Sequence, residues 1–255
     1  MGCGVVLAQP ETSPERYSEE YYTSWGASSD ELEHTRFLKQ KTFCRWLSDL
    51  EKVVKPGRIL DIGCAMGFFL EVANRRGWES FGVEISPFSA DAARKQFGNR
   101  IHNGTIMDVS FPCDFFDAVT LFDCLEHMPD PVAALSKIRM ILRPGGVVLI
   151  STVNVDSLSC KLLGARWPHF KPEHPVCFNS SSLATALKAA GLQPIRLKPA
   201  VKNLSVRYIL AYFRQYPLPG ISRLLQLLTT ILPDCIARFP LPLQFGEMLA
   251  MARKS

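Results

Sequence analysis

Two carboxylates and two glycines fall at a spacing that can hold a small ligand. Asp61-Ile62-Gly63-Cys64-Ala65-Met66-Gly67 spells D-x-G-x-x-x-G, and Glu84 follows one strand–helix–strand unit later. Gly63 permits a sharp turn at positive φ, and Gly67 opens the next helix without a Cβ, so a ligand can lie against the backbone. Glu84 stands where such units hold a ribose diol, and each hydroxyl bond to a carboxylate is worth on the order of 1.5–3 kcal/mol. Asp61 suits a positively charged ligand better than a pyrophosphate, and the Gly-x-Gly pair of a dinucleotide fingerprint is missing. A second polar group, Asp123-x-x-Glu126-His127, lies downstream, and His169 and His174 follow it.

The elements that must position these groups alternate between strand and helix. Ile59, Leu60 and Ile62 form a short apolar strand bounded by Pro56-Gly57 and Gly63, and Phe68, Phe69, Val72 and Ala73 a helical stripe ending at Gly77. Phe81 to Glu84 is the second strand. Ser86-Pro87 starts a helix to Phe97. Arg100 to Thr105 and Phe115 to Phe122 are the third and fourth strands. Asp130 caps the next helix, which Pro131 begins. Val147 to Thr152 is apolar without alternation, as a strand covered on both faces requires. Residues 153–178 are a long connection, a feature that often carries function. A helix from Ser180 to Gly191, a strand from Leu192 to Ala200 and a final strand from Phe245 to Ala252 complete the pattern. Upstream, residues 32–54 read as one helix and the first ten residues as a disordered tail. The fold class is α/β.

The stretch from Arg58 to Glu84 resembles motif I and the following acidic position of class I S-adenosylmethionine-dependent methyltransferases. The resemblance continues through residues 115–154 and covers roughly 57–200. It implies a Rossmann-like sheet of about seven strands with helices on both faces. The implied units are a tail and cap helix (1–55), a cofactor-binding core (56–202), a helical insertion (203–243) and a last core strand (244–255). The cofactor implied is S-adenosyl-L-methionine, held by Asp61, Gly63, Cys64, Gly67, Glu84, Ile85, Asp108 and Phe122. Asp108 would accept from the adenine amino group, with Ile106 or Met107 on the ring; it is equally placed as a turn former before Phe111-Pro112. Tyr21 and Tyr22 resemble the tyrosines of a pre-core cap. Asp123-x-x-Glu126-His127 resembles the E-x-x-E-H element of ubiquinone-biosynthesis O-methyltransferases, which binds a divalent metal. Here the first acid is shortened to Asp, and no metal is expected.

Methyl transfer from a sulfonium is an in-line displacement that mostly needs orientation and exclusion of water. An oxygen or nitrogen nucleophile also calls for a general base. His174 and then His127 are the candidates, with His169 nearby and His34 and His102 expected elsewhere. Cys64 and Cys124 read as packing residues rather than nucleophiles. The expected reaction is methyl transfer to a small molecule, with oxygen favoured, on a sugar, a quinone-like compound or a secondary metabolite. A cofactor-binding partner without catalysis and a nicotinamide oxidoreductase are the alternatives.

At 255 residues the chain suits one large domain or one domain with an appendage, and 47% apolar content gives it a real core. A net charge of +5 is too small to argue for nucleic acid. Eight cysteines without a C-x-x-C pair, and no signal peptide, imply reduced thiols and a cytoplasmic location. Residues 203–243 do not read as sheet: Arg207–Phe213 and Ile221–Leu232 are helical, apolar and basic. That suits a substrate lid, contact with a membrane surface or lipid-like substrate, or a hairpin packed on the core or a second copy.

Overall fold

The computed structural model describes residues 6–7, 28–215, 227 and 231–255. Tyr21 and Tyr22 lie outside these residues, as do Pro217–Gly220 and most of 221–232.

A seven-stranded sheet forms the centre. It is built from β2 (Arg58–Ile62), β3 (Glu79–Glu84), β4 (Ile101–Asn103), β5 (Phe116–Phe122), β6 (Leu142–Val153), β8 (Leu192–Pro199) and β11 (Glu247–Lys254), in the order β4-β3-β2-β5-β6-β11-β8. The first five run parallel, and β11 is antiparallel to both β6 and β8. Strand order reverses between β2 and β5, which opens a crevice beyond their carboxyl ends. Asp61 pairs in register with Thr120 there. The near-continuous apolar runs follow from burial on both faces: Ile59 packs with Trp46, Phe69 and Ala73 on one side, and Leu60 and Ile62 with Ile138 and Leu187 on the other.

Helix α1 (Ser29–Leu50) begins one turn before the sequence expectation and ends four residues earlier. Ser28 caps it by accepting from Glu31 N at 3.3 Å, and Asp30 and Glu31 complement the first-turn dipole. Helix α2 (Phe68–Arg75) starts at Gly67, whose φ is 85°. The expected caps of the next two helices are present: Ser86 on α3 (Pro87–Phe97), and Asp130, which accepts from Ala133 N at 2.9 Å, on α4 (Pro131–Ile141).

Two expectations are corrected. Within the expected tail, β1 (Val6–Leu7) pairs antiparallel with β7 (Val176–Cys177), inside the long connection. Within the insertion, β10 (Leu241–Leu243) pairs with β9 (Lys202–Leu204), so this region carries sheet at its base. Alternation over two or three residues is too short a signal for either pairing to be read from sequence. Helix α5 (Val206–Gln215) rises from β9, near the expected place.

Candidate active site

The loop after β2 is fixed by its own backbone. Gly63 N and Cys64 N both donate to Val83 O, at 2.8 and 3.2 Å. Gly63 has φ 76°, and a Cβ there would come 2.9 Å from Cys124 Sγ, so glycine is required. Ala65, at φ 47°, turns its N–H to Glu84 Oε2 at 2.8 Å, while Ser86 N donates to Glu84 Oε1 at 2.8 Å. Glu84 is buried, with both carboxylate oxygens anchored by backbone N–H groups. Thr120 Oγ1 donates to Asp61 Oδ1 at 2.6 Å. Burial, followed by the negative charge of Glu84, pushes the Asp61 carboxyl up to about 8 against that bond.

These groups open onto one cavity of about 920 Å³. Of the expected cofactor residues, Asp61, Gly63, Cys64, Glu84, Ile85 and Phe122 line it, together with Ile106 and Met107. Phe122 is held among Phe43, Trp46 and Phe69, with ring centroids 4.9–5.2 Å away. Two expected residues stand apart from it. Gly67 serves packing: a Cβ there would come 2.7 Å from Phe97 Cε2. Asp108 is exposed, and its Oδ2 accepts from Thr105 N and Oγ1 at 2.9 and 2.6 Å. Those bonds match the turn-forming alternative rather than an adenine contact. The Cys64 and Cys124 thiols are pushed well up by burial, which favours packing over nucleophilic chemistry.

At the other end of the cavity the 3-10 turn Leu125–His127 faces the long connection. His127 Nδ1 lies 2.7 Å from Glu173 O, and His174 Nδ1 2.8 Å from His169 O. Each ring therefore carries its proton on Nδ1, leaving Nε2 as the acceptor. The rings meet edge to face at 4.6 Å. Burial, then the neighbouring His127 and Lys171, bring His174 down to about 2, which makes it the poorer base of the two. Burial also lowers His127, partly opposed by the Glu173 carbonyl. His34, expected elsewhere, lines the cavity as well and bonds Ser205 Oγ at 2.9 Å.

Ligand atoms of Glu126, His127 and His174 lie within 4.8 Å of one another, a set of one carboxylate and two imidazoles that suits a divalent cation. The backbone carbonyls on both Nδ1 atoms are the outer bonds that orient imidazole ligands. Burial, then the charge of Asp123, raises Glu126 to about 8, and Thr152 Oγ1 donates to its Oε2 at 2.8 Å. Asp123, first acid of the expected pattern, is engaged elsewhere. It sits at φ 52°, accepts from Ser151 Oγ at 2.8 Å and from Lys202 Nζ at 2.7 Å. Its side chain is 44% exposed. Burial works to raise it, and the Lys202 ammonium outweighs that and holds it down to about 2.

Sequence reasoning missed Lys39, Lys202 and Glu247, all of which line the cavity. Lys202 Nζ also donates to Glu247 Oε1 at 2.7 Å. Burial would lower Lys202, but the two carboxylates raise it. Lys39 is brought down to about 8 by burial, opposed by Asp123 and Asp61. One signal was available: Glu247 is the single acid in the otherwise apolar, buried stretch Glu247-Met248-Leu249-Ala250-Met251-Ala252.

A mainly parallel sheet with this switch point, a backbone-anchored carboxylate ending β3 and an acid on β2 is the arrangement of a class I methyltransferase. Comparison with known proteins agrees. A methyltransferase-domain family model matches residues 40–197. A ubiquinone biosynthesis O-methyltransferase of Cereibacter sphaeroides (strain ATCC 17025 / ATH 2.4.3) is 31% identical over 181 residues, 62% of this chain and 73% of that one. Its counterpart from Aeromonas salmonicida (strain A449) is 28% identical over 196 residues, 66% and 81% of the two chains. An S-adenosylmethionine-dependent methyltransferase from Archaeoglobus fulgidus shares the fold, with TM-score 0.60 at 18% identity over 93% of this chain and 100% of that one. The chain belongs to the class I methyltransferase family and is an enzyme; members of that family use S-adenosyl-L-methionine. Among the described residues no helix is long and apolar enough to cross a membrane.

Proposed function

We propose that this enzyme transfers the methyl group of S-adenosyl-L-methionine to an oxygen of a small-molecule acceptor. One observation carries the assignment. Glu84, fixed by Ala65 N and Ser86 N, shares a cavity with Asp61, so a diol-accepting carboxylate and a second acid face one ligand. Glu84 takes the ribose hydroxyls, Asp61 lies toward the cationic end, and Ile106 and Met107 flank the adenine. The cavity volume of about 920 Å³ leaves room for an acceptor beside the cofactor.

The acceptor enters between Asp123 and the pair His127 and His174. His127 Nε2 takes the proton of the acceptor hydroxyl, with Glu173 O holding the ring's orientation. His174 backs it as a neutral imidazole. Were a divalent cation held by Glu126, His127 and His174, it would supply Lewis-acid activation of an acceptor oxygen; no step here depends on one. Oxygen is favoured as the methyl acceptor because both relatives named above carry that activity in their names. The test is turnover: incubation with S-adenosylmethionine and a panel of hydroxylated metabolites, with release of S-adenosylhomocysteine recorded. Acceptor-dependent release supports the reading. Tight cofactor binding with no release across the panel favours a cofactor-binding partner protein instead.

A further inference from the structure

A chain of ion pairs ties the first turn of α1 to the start of α5 and to the segment before β10. Arg238 pairs with Asp30, and its Nε lies 2.8 Å from Asp234 Oδ2. Asp234 Oδ1 accepts from Arg207 Nη1 at 2.5 Å, and Arg207 Nη2 stands 3.6 Å from Glu31 Oε1. From Asp30 to Glu31 the groups alternate in sign, so each charge has opposite neighbours. Glu31, Arg207 and Arg238 line the cavity. Asp30 and Asp234 stand outside its lining, and their side chains are 69% and 61% exposed. The charges therefore run from the cavity wall out to solvent, along one edge of its rim.

Deeper contacts between the same two walls are of another kind. Thr42 Oγ1 accepts from Asn203 N at 2.7 Å, and Trp46 Nε1 donates to Val201 O at 3.2 Å. Thr42, Trp46 and Asn203 are buried. Further toward the start of α1, His34 Nε2 meets Ser205 Oγ at 2.9 Å, and beyond His34 lie the ion pairs. Breaking a buried hydrogen bond strands a polar group away from water. Breaking an exposed ion pair returns both charges to water, contributes little loss, and is helped by salt. The rim can thus come apart while the base stays joined.

We propose that these ion pairs are a latch on the cavity: formed, they hold the first turn of α1 against α5 and close this edge; broken, they open it for a ligand to pass. The latch stands apart from the methyl-transfer reading, which supplies only the probe.

Asp30→Asn combined with Asp234→Asn removes the two carboxylates that hold Arg238 and the nearer partner of Arg207, and neither residue lines the cavity. Association and dissociation of S-adenosylhomocysteine are followed by stopped flow in parent and variant. Amide hydrogen exchange is read over residues 29–36 and 206–215. A gate slows entry and exit alike, so both rate constants are expected to rise about fivefold in the variant with Kd held within about twofold. Exchange quickens in both segments. Raising salt from about 0.05 to about 0.5 M quickens it in the parent and has a smaller effect in the variant. Faster dissociation alone with a weakened Kd, unchanged rate constants, or unchanged exchange overturns the latch. The parent's response to salt decides if the variant does not fold. Failure of S-adenosylhomocysteine to bind the parent counts against the methyl-transfer reading alone, and the exchange comparison then decides on the latch.

Discussion

Thr120 Oγ1 donates to Asp61 Oδ1 over 2.6 Å, joining two adjacent parallel strands at the point where strand order reverses. That bond favours the ionised acid, yet burial and Glu84 together leave Asp61 with a carboxyl near 8, against an ordinary 3.8. A folded-state value above the unfolded one means that the folded chain takes up a proton. The stability contributed is fully present below about 4 and is lost as pH rises through about 8. Asp61→Asn removes that loss. Melting curves of the cofactor-free protein should show the variant gaining on the parent as pH is raised from 4 toward 8, with little difference at the acid end.

Lys202 bridges Asp123 and Glu247 at 2.7 Å each. Removing the ammonium leaves Glu247, whose side chain is 5% exposed, as an uncompensated buried charge. Lys202→Met is expected to cost about 3 kcal/mol, at the low end of the range for such losses because Asp123 is partly open. Urea unfolding measures it. Lys202→Met combined with Glu247→Gln should recover part of the loss.

Gly67→Ala tests the packing role of a residue whose sequence position suggested cofactor contact. With φ 85° and Phe97 Cε2 2.7 Å from the new Cβ, the substitution combines backbone strain with a clash against a buried ring. About 2 kcal/mol of destabilisation is expected, again by urea unfolding. Asp108→Ala, by contrast, should leave affinity for S-adenosylhomocysteine unchanged.

Much of this fold was legible in the chain. Pro56-Gly57, Gly77, Ser86-Pro87 and Asp130-Pro131 mark boundaries by chemistry that acts locally, so the order of elements could be read. Asp61 and Glu84 were legible because the strand–turn–helix–strand spacing fixes where each points. Asp108 was not, since a carboxylate after a short strand closes a turn as readily as it meets a ligand. Lys202 and Glu247 stand 45 residues apart, on strands of two different sheets, and meet only in the tertiary fold, which no local pattern encodes. The edge pairing of Val6–Leu7 with Val176–Cys177 was hidden for the same reason.

The rings of His127 and His174 meet edge to face with centroids 4.6 Å apart, so charge on His127 opposes protonation of His174. His127→Ala should lower kcat by about a hundredfold with S-adenosylhomocysteine affinity intact. His174→Ala should lower it less. Turnover should also survive dialysis against a chelator. Loss that magnesium restores would reassign Glu126, His127 and His174 to metal ligation.

Calorimetric titration of the purified protein and of Glu84→Ala with S-adenosylmethionine and S-adenosylhomocysteine addresses the central assignment. The account predicts micromolar binding by the parent, weakened in the variant by about tenfold or more, roughly 1.4 kcal/mol. A folded parent that binds neither ligand, or a variant that binds both as well as the parent, contradicts it.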